Sequence, residues 1–399
     1  MFPDASGRDA TGASAAGRQR EPLDAWLLGP QNQCGRACVR LPSCLSWVVV
    51  LWLSAPPAAA QHEIRLLLSS NAASVTLTGR ELRVLDDEGE QTLGRAGQRL
   101  VVCREGEGVA AKGVFDPQPA VRVTGEDVAV DGHRPLGVLE IRGGRGGLWL
   151  VDRLPLEEYV ARVVEAEMGG GWPLDALKAQ AVAARSFALR RCLQRQEEAY
   201  DLVASTSDQA FARGSIAEGR VRQAVQETFG EVLAFEGFPA EATYSACCGG
   251  RTGSAEEVFG EKVPYLRSNP DPYCAGCPGG EWQRRVARAE LEKALVRAGR
   301  IRGKLARCDT DAGTLVCHAG DARLELRPAE LRRLLGPALV PAARFSIKVE
   351  KTGLVLVGRG RGHGVGMCQW GARGMAEQGS EYREILRRYY PGAELRKMY

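Results

Sequence analysis

The sequence predicts an α+β fold, and three observations carry that prediction. Short runs rich in β-branched and apolar residues, broken by Gly, Asp and Asn, fill the stretch from 62 to 151. Two segments with helical periodicity follow directly, from Pro155 to Met168 and from Pro173 to about Gln196. Beyond them strands and helices mix without regular βαβ alternation and without a repeat, which argues against a doubly wound sheet. With 399 residues, 44% hydrophobic and 26% charged, the chain is long enough for two or three domains and ordinary for a folded core. The organisation read from it is residues 1–60 as a disordered stretch plus a secretory signal, 61–150 as a β-rich region, and 151–399 as a mixed α+β domain with an α/β insertion near 281–343.

The elements follow in order. Residues 1–35 show no hydrophobic period. Arg36 and Arg40 then precede the apolar run Leu45–Leu53, and Ala58-Ala59-Ala60 supplies small residues for cleavage. A basic flank, a short apolar stretch and an A-x-A site make a secretory signal cut near Ala60, and the run is too short to span a bilayer comfortably. The expected location is therefore the periplasm or cell envelope, with membrane contact only through this signal or anchor segment. Three of the 12 cysteines precede the cut, leaving nine in the exported chain, an odd number that leaves at least one without an internal partner. Cys308 and Cys317 flank the turn Asp311-Ala-Gly313 and can be bridged in an oxidising compartment.

Strands are expected at Ile64–Leu68, Ser74–Thr78, Arg99–Cys103 and Val121–Thr124. Arg142-Gly-Gly-Arg-Gly-Gly147 has the composition of an RNA-binding patch. Its place between Val138–Ile141 and Leu148–Val151 makes it a hairpin loop instead. A net charge of only +4 agrees, since no strong basic field is available to hold nucleic acid. In the first helix Pro155 suits the first helical position, Glu157 and Glu158 suit the positive end of the dipole, and Gly169-Gly-Gly171 stops it. The second helix is rich in alanines that permit close packing. Further elements are strands near 231–235 and 242–246, a helix near 283–298, the cysteine hairpin, a helix Pro328–Leu335 ended by Gly336, strands at 344–350 and 353–357, and a helix at 381–389.

Three places can carry chemistry. In the first helix Leu156, Val160, Val163 and Glu167 lie along one otherwise apolar stripe, whereas Glu158, Arg162 and Glu165 form a charged stripe read as solvated. Glu167 thus points toward the core at the negative end of its helix, where desolvation and dipole both favour the protonated acid that a glycosidic oxygen needs. The bland reading is a helix-end glutamate, or one paired with Arg185 or Lys178. The second place is Gly358–Gly371, where glycines on both sides of His363 permit positive φ and close ligand approach. Neither G-x-G-x-x-G nor a P-loop can be laid on it. His363 is read as a hydrogen-bonding or acid/base group, with Gln369 and Trp370 offering polar contacts and a flat face to a sugar; internal packing of the loop is the alternative. The third place holds Cys247, Cys248, Cys274 and Cys277. Cys248, Cys274 and Cys277 are the metal-ligand candidates, but adjacent cysteines rarely serve one ion and no His stands at ligand spacing. A Cys248–Cys274 disulfide is the competing reading, and no cofactor is required.

Read together, several stretches resemble the SpoIID/LytB family (stage II sporulation protein D). They include Val151–Val160, Glu167-Met168, Trp172–Arg185, Ser207-Asp-Gln209, Cys248–Thr252, Pro264-Tyr-Leu266, Gly360–Gly366, Gln369–Ala372 and Tyr389–Gly392, in family order over roughly residues 135–395. The resemblance implies a lytic transglycosylase acting on peptidoglycan glycan strands stripped of stem peptides, cutting the MurNAc–GlcNAc bond to leave a 1,6-anhydro sugar. It puts the general acid/base at Glu167, makes His363 its companion in the site, and places Lys178, Arg185, Gln209, Tyr244, Thr252, Gln369 and Trp370 as substrate-binding residues. It also implies an alternative from another class, a non-catalytic enhancer of an N-acetylmuramoyl-L-alanine amidase. Departures are Gly169-Gly-Gly171 where many members carry proline, Ser245 where some carry a His able to join a zinc site, Phe187 and Phe211 for tyrosine, and Cys368 for serine.

Overall fold

The computed structural model describes residues 62–399 other than 215, 217, 218 and 279. The segment expected to be a secretory signal, with Cys34, Cys38 and Cys44, lies outside the described residues. The architecture is α+β: mainly antiparallel sheets and eight α-helices among the described residues.

Alternation of apolar and polar side chains makes the first part a sheet. Ser74–Leu85 buries Val75, Leu77, Leu82 and Val84, while Val138–Gly144 buries Leu139 and Ile141. A period of two pairs Val75 with Leu77 and Leu82 with Val84. Irregular pairing between Thr78 and Arg83 brings both pairs to one face, where they meet Leu139, Ile141, Val121, Val123, Leu148 and Leu150 in a common cluster. The sheet has ten strands. Glu63–Ala72 pairs with Gly147–Pro155, then come Val138–Gly144, Ala120–Val130, Ser74–Leu85 and Arg99–Glu105, all antiparallel. The short strand Leu202–Val203 adds to the free edge of Glu63–Ala72 in parallel. The Arg-Gly-Gly stretch is the tight hairpin its position implied: Gly144 pairs with Gly147, and Gly146 takes φ +85°.

Helix α1 (Leu156–Glu167) leaves the last long strand without a loop. Pro155 caps it from extended backbone, at φ −59° and ψ 136°, one residue before the first helical position expected for it. Leu156, Val160 and Val163 are buried, as their spacing requires. The charged stripe is not solvated throughout. Arg162 is buried, pairs with Glu158 at 2.8 Å, and donates to the carbonyls of Ala212 and Gly214. The segment after residue 210 covers this face, which no local pattern announces.

Helix α2 (Leu174–Gln194) is the central element, with every residue from Ala179 to Leu189 buried. A helix buried all round has no polar face, and its alanines let two clusters approach it from opposite sides. Two of its buried polar groups, Arg185 and Ser186, are paired, whereas Gln180 Nε2 has no partner among the described residues. Ser186 Oγ donates to Val182 O and accepts from Leu233 N–H, tying α2 to the strand Glu231–Phe235. Arg185, 0% exposed, grips Glu157 through two bonds of 2.8 and 2.6 Å and donates to Glu231 O.

Helices α3 (Arg220–Glu227) and α4 (Ala255–Phe259) are short, the second closed by a capping box at Ser254 and Glu257 and by Gly260 at φ +85°. The helix expected over 283–298 begins later, as α5 (Arg288–Arg297), because Glu281–Ala287 is a strand paired with Gly353–Arg359. Trp282 and Val286 are its buried residues, and a spacing of four fits one face of either a helix or a strand. This strand, α5, the hairpin Arg307–Ala319, α6 (Pro328–Leu335) and the strand pair Phe345–Arg359 surround an apolar cluster of their own. The stretch departs and returns on neighbouring rungs, with Glu281 opposite Arg359 and Gly360 N–H donating to Gly280 O at 2.6 Å. Helices α7 (Gln369–Glu377) and α8 (Tyr382–Tyr389) close the chain. The first is hidden in sequence by Gly371 and Gly374, which lower helix propensity. Gly371 is nevertheless required, since a Cβ there would lie 2.0 Å from the Tyr389 hydroxyl.

Candidate functional site

A cleft of about 620 Å³ opens where the C-terminal end of α1 meets the segments 206–210, 241–245 and 362–363. Glu167 and His363 both line it, together with Gln209 and Tyr244. Glu167 is half-buried, and its two oxygens meet only neutral donors: Oε1 accepts from Ala210 N–H at 3.0 Å, and Oε2 accepts from the Gln369 amide at 3.3 Å. Among the described residues it forms no ion pair, because Arg185 is held by Glu157 and Lys178 by Glu227 at 2.6 Å. Desolvation raises its pKa above the ordinary carboxyl range, and the two hydrogen bonds only partly offset that.

Around the acid runs a chain of neutral hydrogen bonds. Tyr159 Oη donates to Gln209 Oε1 at 2.8 Å, and Gln209 Nε2 donates to Tyr244 Oη at 2.8 Å. Burial and the neighbouring Glu167 carboxylate push the Tyr244 phenol well up, so it stays protonated with its own O–H free to donate. Asp208 anchors this network from behind. It accepts from Arg195 at 2.9 Å and from Val203 N–H at 2.8 Å, fixing the turn that presents Gln209 and Ala210.

His363 is a neutral wall of the cleft. Burial lowers its pKa to about 4; its Nδ1 accepts from Val365 N–H at 3.1 Å, and a hydrogen bond to the backbone of Tyr244 offsets only part of that drop. Its ring packs against Phe259 with centroids 5.3 Å apart. The glycines that flank it serve the protein's own backbone. Gly360, Gly362, Gly364 and Gly366 all take φ between +74° and +97°. The segment threads beside 243–253, bridging Cys247 to Arg361 and Gly253 to Val365, while Tyr244-Ser245 pairs in parallel with Met367-Cys368. A Cβ on Gly366 would stand 1.9 Å from Thr243 O.

The remaining residues expected to bind substrate sit elsewhere. Lys178 and Arg185 are consumed by their ion pairs. Thr252 is buried in a turn, donating to Arg267 O and accepting from Asn269 N–H. Gln369 is buried behind the acid, where its amide touches both Glu167 and Gln180. Trp370 packs on Trp172, with the Arg373 guanidinium over its ring, outside the cleft lining. The sequence reading missed Arg191, paired with Glu241 at 2.6 Å across the cleft wall, and the Ala210 amide. A backbone donor 43 residues from its acceptor leaves no mark in residue type.

The cysteines also pair differently from one expectation. The disulfide joins Cys247 to Cys277, not Cys248 to Cys274, and this removes Cys277 from the proposed ligand set. Cys308 and Cys317 are bridged across their hairpin. Cys248, Cys274 and Cys368 remain buried free thiols.

Comparison with known proteins points one way. A family model described as stage II sporulation protein (SpoIID) matches residues 144–235, which span α1, α2 and the acid. An uncharacterised protein of Brachyspira hyodysenteriae is 36% identical over 250 residues, covering 62% of this chain and 68% of the relative. Stage II sporulation protein D of Bacillus amyloliquefaciens is 31% identical over 267 residues, 61% of this chain and 75% of the relative. The amidase enhancer of Bacillus subtilis is 25% identical over 285 residues, 58% of this chain but only 39% of its own length. With the fold, the cleft and these likenesses in hand, the chain belongs to the SpoIID/LytB family.

Proposed function

We propose that this protein is an exported lytic transglycosylase that cleaves MurNAc–GlcNAc bonds in peptidoglycan strands lacking stem peptides, with Glu167 as the single acid/base. The observation that carries the reading is the environment of Glu167: a carboxyl group in a cleft, partly desolvated, with amides and no cation around it. Such a group holds its proton more tightly than an exposed carboxyl does. It gives that proton to the bridging glycosidic oxygen as the bond from that oxygen to C1 of MurNAc breaks. The 6-hydroxyl of the same MurNAc then attacks C1, and its proton returns to the Glu167 carboxylate. The acid is regenerated, no water is consumed, and the product end is 1,6-anhydro-MurNAc.

The other residues position. The Gln209–Tyr244 pair presents a neutral phenol O–H to the cleft, Ala210 N–H and Gln369 hold the carboxyl group in one rotamer, and His363 with Phe259 forms a rigid, uncharged wall. Export through the signal near Ala60 brings the protein to its polymer. The second reading, a wall-binding protein that stimulates an N-acetylmuramoyl-L-alanine amidase, is favoured by the likeness to the Bacillus amidase enhancer.

The deciding experiment incubates purified protein with peptide-free glycan strands and identifies the products by mass. Anhydro-muramyl ends from the wild type and a loss of about a thousandfold in Glu167→Gln support the transglycosylase. Equal product from both proteins excludes Glu167. No product from either, with stimulation of an added amidase, establishes the enhancer.

A further inference from the structure

A second cluster of chemistry lies beside the cleft and is unused by the proposed reaction. Cys248, Asp271, Cys274 and Cys368 are all buried, and one ligand atom from each lies within 4.8 Å of every other. Cys248 Sγ stands 3.1 Å from Asp271 Oδ2, and Cys368 Sγ 3.3 Å from Cys274 Sγ. Asp271 is 1% exposed, and its Oδ1 has no hydrogen-bond partner. A buried carboxylate with an unsatisfied oxygen, facing three thiols and no cationic side chain, is costly unless a positive charge joins it.

We infer that these four side chains form a structural zinc site, Cys248, Cys274 and Cys368 through sulfur and Asp271 through oxygen. A tetrahedron with Zn–S bonds of about 2.3 Å has edges of about 3.8 Å, so the observed separations need only small adjustments to admit the ion. Three soft sulfurs and one oxygen in a closed site select zinc over magnesium or calcium. The surrounding groups are those a thiolate site uses: Cys368 Sγ accepts N–H bonds from Cys248 at 3.2 Å and Gly371 at 3.3 Å, and Tyr389 Oη donates to Asp271 Oδ2 at 2.9 Å. The neighbouring disulfide solves the problem of adjacent cysteines. Cys247 is committed to Cys277, which leaves Cys248 alone to face inward and draws Cys274 toward it. The ion would pin three segments together: the 248–252 turn, the 271–277 turn and the start of α7. Cys368 directly precedes Gln369, whose amide touches Glu167, so the site braces the back of the cleft whatever the cleft binds.

The test uses the full purified chain, prepared without chelators, with its disulfides mapped by mass. The result expected is one zinc per chain by elemental analysis. After exchange with cobalt(II), a sulfur-to-cobalt charge-transfer band and the visible bands of a tetrahedral ion should appear. Cys274→Ser and Cys368→Ser should each lower zinc content at least tenfold, while Cys192→Ser, at a half-buried thiol elsewhere, keeps it. Should those variants fail to fold, the wild-type cobalt spectrum still decides. A wild type that holds no zinc and gives no thiolate band with cobalt overturns the inference. So does mapping that finds any two of Cys248, Cys274 and Cys368 joined as a disulfide.

Discussion

Glu157 and Glu167 stand at opposite ends of the same helix and meet opposite company. Glu157 receives a bidentate guanidinium from Arg185 and the Tyr399 hydroxyl at 2.6 Å, so its charge is fully answered. Glu167 receives only two neutral N–H donors. On the proposed function, this contrast makes Glu157 a brace and Glu167 the proton donor. Because the folded environment favours the protonated form of Glu167, activity should be full at lower pH and fall as pH rises through its elevated pKa. The Gln369 amide works against that elevation by bonding to the charged form. Gln369→Met should therefore move the alkaline limb of the pH–rate profile to higher pH, and an unmoved or lowered limb would refute this account of the acid. The sequence makes Glu167 legible because an acidic residue on an apolar stripe is a visible contradiction. Gln209 and Tyr244 are legible only through family resemblance, for their partnership depends on the fold bringing positions 35 residues apart together.

At the scale of elements, the glycine-rich segment 358–366 behaves as a strand substitute. It makes isolated bridges to 243–253 and carries positive φ at alternate positions. Two of those positions differ in a way that can be measured. Gly364 and Gly366 share φ +74°, yet a Cβ on Gly364 meets nothing within 4 Å, whereas one on Gly366 collides with Thr243 O. Gly364→Ala should cost about 1 kcal/mol, the conformational penalty alone. Gly366→Ala should cost about 3 kcal/mol or more, or prevent folding, because backbone cannot move aside cheaply. Denaturant unfolding of the two variants separates them, and equal losses would contradict the close approach. From sequence the same glycines read as room for a ligand. Composition reports where a backbone is bare but not what comes near it.

At the scale of the molecule, the period-two sheet and the alanine-rich central helix are both plain in the sequence, since burial imposes their patterns directly. What escapes is the work of long-range closure. Cys368 lies 120 residues from Cys248 and is drawn to it by the glycine segment, so no local spacing of cysteines foretells their meeting. The strand Glu281–Ala287 escapes for a similar reason, because its partner Gly353–Arg359 lies beyond an entire cluster of other elements.

That cluster, from 281 to 359, enters and exits through a doorway one hydrogen bond wide, between Gly280 and Gly360. A shortened chain that crosses the doorway with a brief turn should keep the pocket and its acid, because neither Glu167, Gln209, Tyr244 nor His363 belongs to the excised part. It should lose the Arg344 side chain that steadies the carbonyls of Arg251 and Thr252, and with it some rigidity in that corner. Glycan cleavage by the truncated protein, read beside its hydrogen-exchange protection around Thr252, would show an appendage that can be lifted off a working hearth; collapse of both would show a keystone.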